Sequence, residues 1–100
     1  VDGGSASSSE ILAGSLQQND RAIVVGESTY GKGTAQSIVN LDGGSSLHIT
    51  TLKWLLPDGT WLSSENTIEP DVEVEFSEES YMEGTDDQLV EAINRLKEQL

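Results

Sequence analysis

Turn signals cut this chain at short intervals, and that limits it to short strands and helices. Gly3-Gly4, the glycines at 26, 31 and 33, Asp42-Gly43-Gly44, Pro57-Asp58-Gly59 and Pro70 punctuate it from end to end. Glycine gives the chain access to φ values that other residues avoid, and proline fixes φ and removes a donor, so these positions end regular elements. The opening Val1-Asp2-Gly3-Gly4 reads as the end of a strand entering a tight turn, as expected of a piece cut from a longer chain. Ser7 followed three residues later by Glu10 fits a capping box, so a helix is expected to begin at Ser7. Ile11, Leu12, Ser15 and Leu16 share one face of it, and Asn19-Asp20 ends it. Arg21 to Gly26 is a continuous apolar run of strand type, expected to be buried on both faces. A loop from Glu27 to Gly33 follows. Thr34–Leu41 and Ser46–Leu55 are β-rich and joined by Asp42-Gly43-Gly44, a hairpin signal. Beyond Pro70, Val72 and Val74 alternate with acids, as on an exposed or edge strand. A last helix is expected after Thr85, capped with Gln88 three residues on. Its stripe of Leu89, Ile93, Leu96 and Leu100 reads as a packing face. Together these pieces predict an α/β fold, a mixed sheet with packed helices.

Charge narrows the possible partners. The 100 residues carry 5 basic and 18 acidic side chains, a net charge of -13. Nucleic acid and anionic membrane surfaces are bound through clustered Lys and Arg, so both are disfavoured. Residues 65–100 hold 12 of the acids against 2 basic groups, which reads as a solvated acidic face or tail. Aromatics make up only 5%, so the core must be aliphatic. The absence of cysteine rules out disulfides, thiolate chemistry and cysteine-based zinc sites.

Three constellations compete for chemistry. Gly26-Glu27-Ser28-Thr29-Tyr30-Gly31-Lys32 matches the G-x-x-x-x-G-K of a phosphate-binding loop. Gly33, however, stands where the magnesium-binding hydroxyl belongs, Glu27 adds a negative charge, and the next segment reads as strand. Without a helix N-terminus the anion loses the dipole that makes that motif work, so the match is read as a decoy. A Ser–His–Asp triad would need His48, the only histidine, which lies on an alternating strand with nothing tying it to Ser7. The third is a serine paired with a lysine. Ser7 sits where helix N–H groups stabilise a developing oxyanion. Lys32 lies in the glycine-rich loop and would act as a base only when neutral, which desolvation favours and an acidic composition opposes. On spacing alone, Ser7 reads equally as a cap and Lys32 as a surface residue.

A resemblance bears on that choice. The stretches 1–14, 21–27 and 30–36, with Ile49-Thr50-Thr51, Pro57-Asp58-Gly59 and Ile68-Glu69-Pro70-Asp71-Val72 in order, resemble the catalytic core of the C-terminal processing (tail-specific) peptidases. The resemblance spans roughly residues 1–75. It implies a crotonase-like peptidase core, of which residues 1–76 would be the C-terminal part, with 77–100 as an acidic linker and amphipathic helix. It also implies a serine endopeptidase that cleaves proteins at or near flexible C-terminal tails through an acyl-enzyme. In that scheme Ser7 is the nucleophile, Lys32 the general base, Gln36 the residue that orients the lysine, and the Ser8 backbone N–H an oxyanion donor. Ser8 stands where the family's S-A-S-A-S-E motif has alanine. Neither a cofactor nor a metal is implied. The partners implied are protein or peptide substrates with disordered C-termini and a PDZ domain of the parent chain, and the location is extracytoplasmic: periplasm, cell surface or membrane-anchored. A second oxyanion donor would come from a strand–turn that these residues lack, so the chain alone is expected to be inactive. The alternative is a non-catalytic protein-binding or scaffold domain that keeps the fold.

Overall fold

The computed structural model describes all 100 residues as a mixed α/β chain. Its elements are α1 (Ser8–Gln18), β1 (Val25–Gly26), β2 (Thr34–Asn40), β3 (Ser46–Lys53), β4 (Val72–Glu73), α2 (Glu78–Met82) and α3 (Asp87–Glu98). β1 and β4 pair in parallel, with Val25 opposite Val72 and Gly26 opposite Glu73. Val1 runs along the other side of β1: its amino group donates to the Val25 carbonyl at 2.8 Å, and its carbonyl accepts from Glu27 N–H at 3.0 Å. β2 and β3 form a separate antiparallel hairpin, closed by a 3-10 turn at Asp42–Gly44 and broken by an irregularity at Ala35/Gln36. The one mixed sheet expected from the sequence is therefore instead two two-stranded sheets: β1 and β4 are two residues long, and neither pairs with the hairpin.

The core is aliphatic and small. Val24, Leu56, Leu62 and Ile68 are buried together, with Val1 and Ile11 packed against them. Helix α1 meets this core through Gly14, where a Cβ would stand 2.6 Å from Ile68 Cδ1 and 2.8 Å from Leu56 Cδ2. The buried face of α1 is therefore the one carrying Glu10, Ile11 and Gly14. Leu12 and Leu16, expected to pack with Ile11, lie on its exposed flank. The helix ends as its sequence indicates. Asn19 is the C-cap and Asp20 takes φ 53°, while Arg21 N–H donates to Leu16 O and Asp20 N–H to Gln17 O, the paired bonds of a Schellman turn.

Two further expectations need correction. The run Arg21–Gly26 is a strand only at its last two residues, and Ile23 is 45% exposed. An apolar run becomes a doubly buried strand only where layers cover both faces, and here one face is open. The final helix begins one residue later than expected: Asp86 is the N-cap, its carboxylate accepting from Leu89 N–H at 2.9 Å, and Leu89, Ile93, Leu96 and Leu100 are exposed. The short helix α2, capped by Ser77, has no periodic apolar signal in its five residues and was not anticipated. None of the helices is long and apolar enough to cross a membrane. The hairpin, the Asp58 turn and the edge position of β4 follow the sequence reading.

Candidate active site

Ser7 is held in an unusual conformation. Its φ of 58° and ψ of -119° put a non-glycine residue in territory that costs about 1–3 kcal/mol unless its surroundings enforce it. Those surroundings are visible. The turn before it is tied down by Asp2, whose carboxylate accepts from Gly4 N–H at 2.9 Å and from the Ser5 hydroxyl, and whose carbonyl accepts from Ser5 N–H. Behind it, helix α1 is packed on the core. Both halves of a capping box are in place: Ser7 N–H donates to Glu10 Oε2 at 2.8 Å, and the Ser7 hydroxyl oxygen faces the Glu10 N–H, though not closely enough for a cap hydrogen bond. The hydroxyl proton itself has no acceptor, and the oxygen sits at a helix N-terminus beside the unpaired N–H of Ser8.

The group that organises this region is Glu10. Its side chain is 0% exposed and faces no cation, yet every acceptor site on it is used. Oε1 accepts from the Thr29 hydroxyl at 2.5 Å and Gly31 N–H at 2.6 Å; Oε2 accepts from Ser7 N–H at 2.8 Å and Lys32 N–H at 2.9 Å. Burial pushes the Glu10 carboxyl pKa up, but the bonds from Thr29, Gly31, Lys32 and Ser7 outweigh burial and hold it below the ordinary 4.5. Thr29 is buried too, and its oxygen accepts from Ile68 N–H at 2.9 Å. This also explains the phosphate-loop match. The loop does offer backbone N–H groups to an anion, and the anion is the chain's own carboxylate.

Lys32 is thus brought to Ser7 through its backbone. Both N–H groups bind one oxygen, so the two nitrogens are separated by no more than the sum of those two bonds. The glycines beside Lys32 allow the loop to lie flat on the segment 62–64. A Cβ on Gly31 would fall 2.4 Å from Ser63 O, and one on Gly33 1.6 Å from Leu62 O. The Gly33 carbonyl is clamped by Trp54 N–H at 2.8 Å and the Trp61 indole N–H at 3.2 Å. The Lys32 side chain is exposed and makes no hydrogen bond or ion pair. With Gly3, Gly4, Ala6 and Tyr30 it lines an open groove alongside the Ser7 turn. Gln36 is not brought to Lys32. It lies on β2, which begins only at Thr34, and its amide donates to Thr50 Oγ1 across the hairpin at 3.2 Å. His48 is exposed on β3 opposite Ile38. Sequence reasoning treated Glu10 only as a capping residue. Its S-x-x-E spacing shows the bond to Ser7, but nothing local signals the three donors around residue 30.

Residues 1–74 match the family model described as Peptidase family S41. The chain belongs to that family. Among its relatives, the carboxy-terminal processing protease CtpB of Bacillus subtilis (strain 168) is 45% identical over 74 residues, covering 74% of this chain and 15% of the relative. The chloroplastic carboxyl-terminal-processing peptidase 3 of Arabidopsis thaliana is 58% identical over 57 residues, 57% of this chain and 11% of the relative. A solved photosystem II D1 C-terminal processing protease superposes with a TM-score of 0.69 at 37% identity, covering 75% of this chain and 19% of that one. This S41 chain therefore spans less than a fifth of the length of each of these three proteins. Its matched part contains Ser7, Glu10, Lys32 and Gln36.

Proposed function

We propose that this chain supplies the nucleophile and general base of a serine–lysine endopeptidase that cleaves proteins at or near flexible C-terminal tails. The observation that carries the reading is Ser7: a strained N-cap residue whose hydroxyl donates to no acceptor, with the Lys32 backbone held on the same carboxylate oxygen as its own. In the reaction, neutral Lys32 Nζ takes the Ser7 Oγ proton as Oγ attacks the scissile carbonyl carbon. The Ser8 N–H donates to the resulting oxyanion. The tetrahedral species then expels the amine, which receives the proton from Lys32. The same lysine then takes a proton from the water that attacks the ester carbon and passes it to the departing Ser7 Oγ, which regenerates both groups. The groove over Gly3, Gly4 and Ala6 gives an extended peptide room beside Ser7.

Gln36 orients Lys32 in this scheme, which requires its amide to leave Thr50. The crotonase-like arrangement, the extracytoplasmic location and the partnership with a PDZ domain belong to the same reading, as does the inactivity of these residues on their own. The free Lys32 side chain and the engaged Gln36 are what a non-catalytic scaffold would display. Cleavage of a disordered protein by the full-length protein, beside its Ser7→Ala and Lys32→Ala variants, separates the two. The dyad requires both substitutions to abolish turnover with melting temperatures unchanged; wild-type turnover by Lys32→Ala leaves the scaffold reading in its place.

A further inference from the structure

A buried carboxylate without a cation is unusual, because desolvating a charge is costly unless it is fully bonded. A helix cap needs one bond from Glu10, the one to Ser7 N–H. The other three donors come from residues 29–32, in a loop that contains no helix and is 19 to 22 residues away in the chain. A carboxylate offers about four acceptor sites, and here two serve each oxygen. The pairing is crossed in a telling way: the oxygen that holds Ser7 N–H is the one that holds Lys32 N–H, while the other holds Thr29 and Gly31. The two halves of the proposed dyad are therefore joined at a single atom.

We propose that Glu10 is the positioning residue of this site, setting the separation between the Ser7 turn and the Lys32 loop, and that Thr29 holds its carboxylate in register. This rests on the serine–lysine reading. Neither residue touches the substrate; both act through the atoms they place. Thr29 donates to Glu10 Oε1 and accepts from Ile68 N–H, so it anchors the carboxylate to the buried core. Chemistry that depends on a proton crossing from Ser7 Oγ to Lys32 Nζ is sensitive to this spacing, since an error of 1 Å in placement costs about a hundredfold. A glutamine at position 10 has one acceptor oxygen, and its NH2 would face two of the four donors. An aspartate keeps the charge but is one methylene short of reaching both loops.

The test uses steady-state cleavage of a disordered protein by the full-length protein. The variants are Ser7→Ala, Glu10→Gln, Glu10→Asp, Thr29→Val and Thr29→Ser, each corrected for its folded fraction by thermal melting. We expect Glu10→Gln and Glu10→Asp to lose about a hundredfold in kcat and Thr29→Val about tenfold, all with KM close to wild type. Thr29→Ser, which keeps the hydroxyl, restores most of the loss. If Thr29→Val turns over like wild type, raises only KM, or loses activity only in step with its unfolded fraction, the proposal is wrong. Should Glu10→Gln not fold, the Thr29 pair decides. Ser7→Ala reports on the underlying dyad by itself: if it is inert while the Glu10 and Thr29 variants are fully active, the dyad stands and the positioning role falls. If it cleaves, both fall.

Discussion

The segment around Glu10 and the β2–β3 hairpin are built on opposite principles. Around Glu10, backbone and side chains meet without slack: a Cβ on Gly33 would overlap a carbonyl, one on Gly26 would stand 1.9 Å from Val1 O, and a single carboxylate binds four donors. Along the hairpin, all of β3 is exposed, and the glycines at its tip meet nothing within 4 Å. Its cross-strand polar contacts, Gln36 to Thr50 and Ser37 with Thr51, are also exposed. The arm draws the chain out to 56 × 35 × 22 Å with a radius of gyration of 17.1 Å, against about 13 Å for a compact chain of this length. Rigidity is concentrated where Ser7 and Lys32 are held, while the arm rests on its ladder bonds.

The sharpest way to break this contrast is Gly33→Ala. Its Cβ would displace the Leu62 carbonyl, so we expect a loss of about 3 kcal/mol or more in urea unfolding of the protein. A small loss would mean that the loop can lift off the 62–64 segment. Next comes a matched pair. Leu62→Ala empties a fully buried site and should cost about 2–5 kcal/mol, whereas Leu47→Ala on the arm should stay within about 0.5 kcal/mol. Equal losses would show that the arm carries core-like packing.

Acid provides a third probe. Glu10, Glu69 and Asp58 all titrate below their ordinary values in the folded chain. Burial opposes this at Glu10 and its four hydrogen bonds prevail; Ser28 and Thr67 lower Glu69, and Thr60 lowers Asp58. A carboxylate with a depressed folded pKa stabilises the fold above its unfolded value, and that stabilisation is lost as pH falls through the folded value. Urea midpoints should therefore hold from neutrality down to about pH 5 and drop below that. All three carboxylates lie outside the hairpin, so a midpoint independent of pH down to full protonation would contradict the tight bonding assigned to this half. Of the substitutions in the tight half, Trp61→Phe should cost least, about 1 kcal/mol, from losing the indole bond to Gly33 O and weakening the contact with the Lys53 ammonium, 4.0 Å from the Trp61 ring centre.

What could be read from the sequence follows the range of the forces involved. The helix start at Ser7, the hairpin and the Asp58 turn depend on residues a few positions apart, and each is where spacing put it. The strand at 21–26 was misjudged because apolar content reports what a segment can bury, while the cover over Ile23 depends on other elements. The buried face of α1 was misjudged for a related reason. Gly14 and Glu10 are unremarkable in an apolar periodicity, yet contact with Ile68 and the bonds to residues 29–32 turn that side inward. At the site, Ser7 and Lys32 could be nominated from motif and resemblance, but the atom that joins them could not, because its partners converge only in three dimensions.

The clamp on the Gly33 carbonyl has an optical consequence. Trp54 and Trp61 carry the only indoles in the chain, and both residues bind that one oxygen next to Lys32, Trp54 through its backbone N–H and Trp61 through its indole N–H. The acidic segment beyond residue 76 contributes a tyrosine but no tryptophan. Intrinsic emission excited at the red edge, where tyrosine is dark, is therefore a label-free gauge of the lysine loop, and within this chain it is blind to the tail.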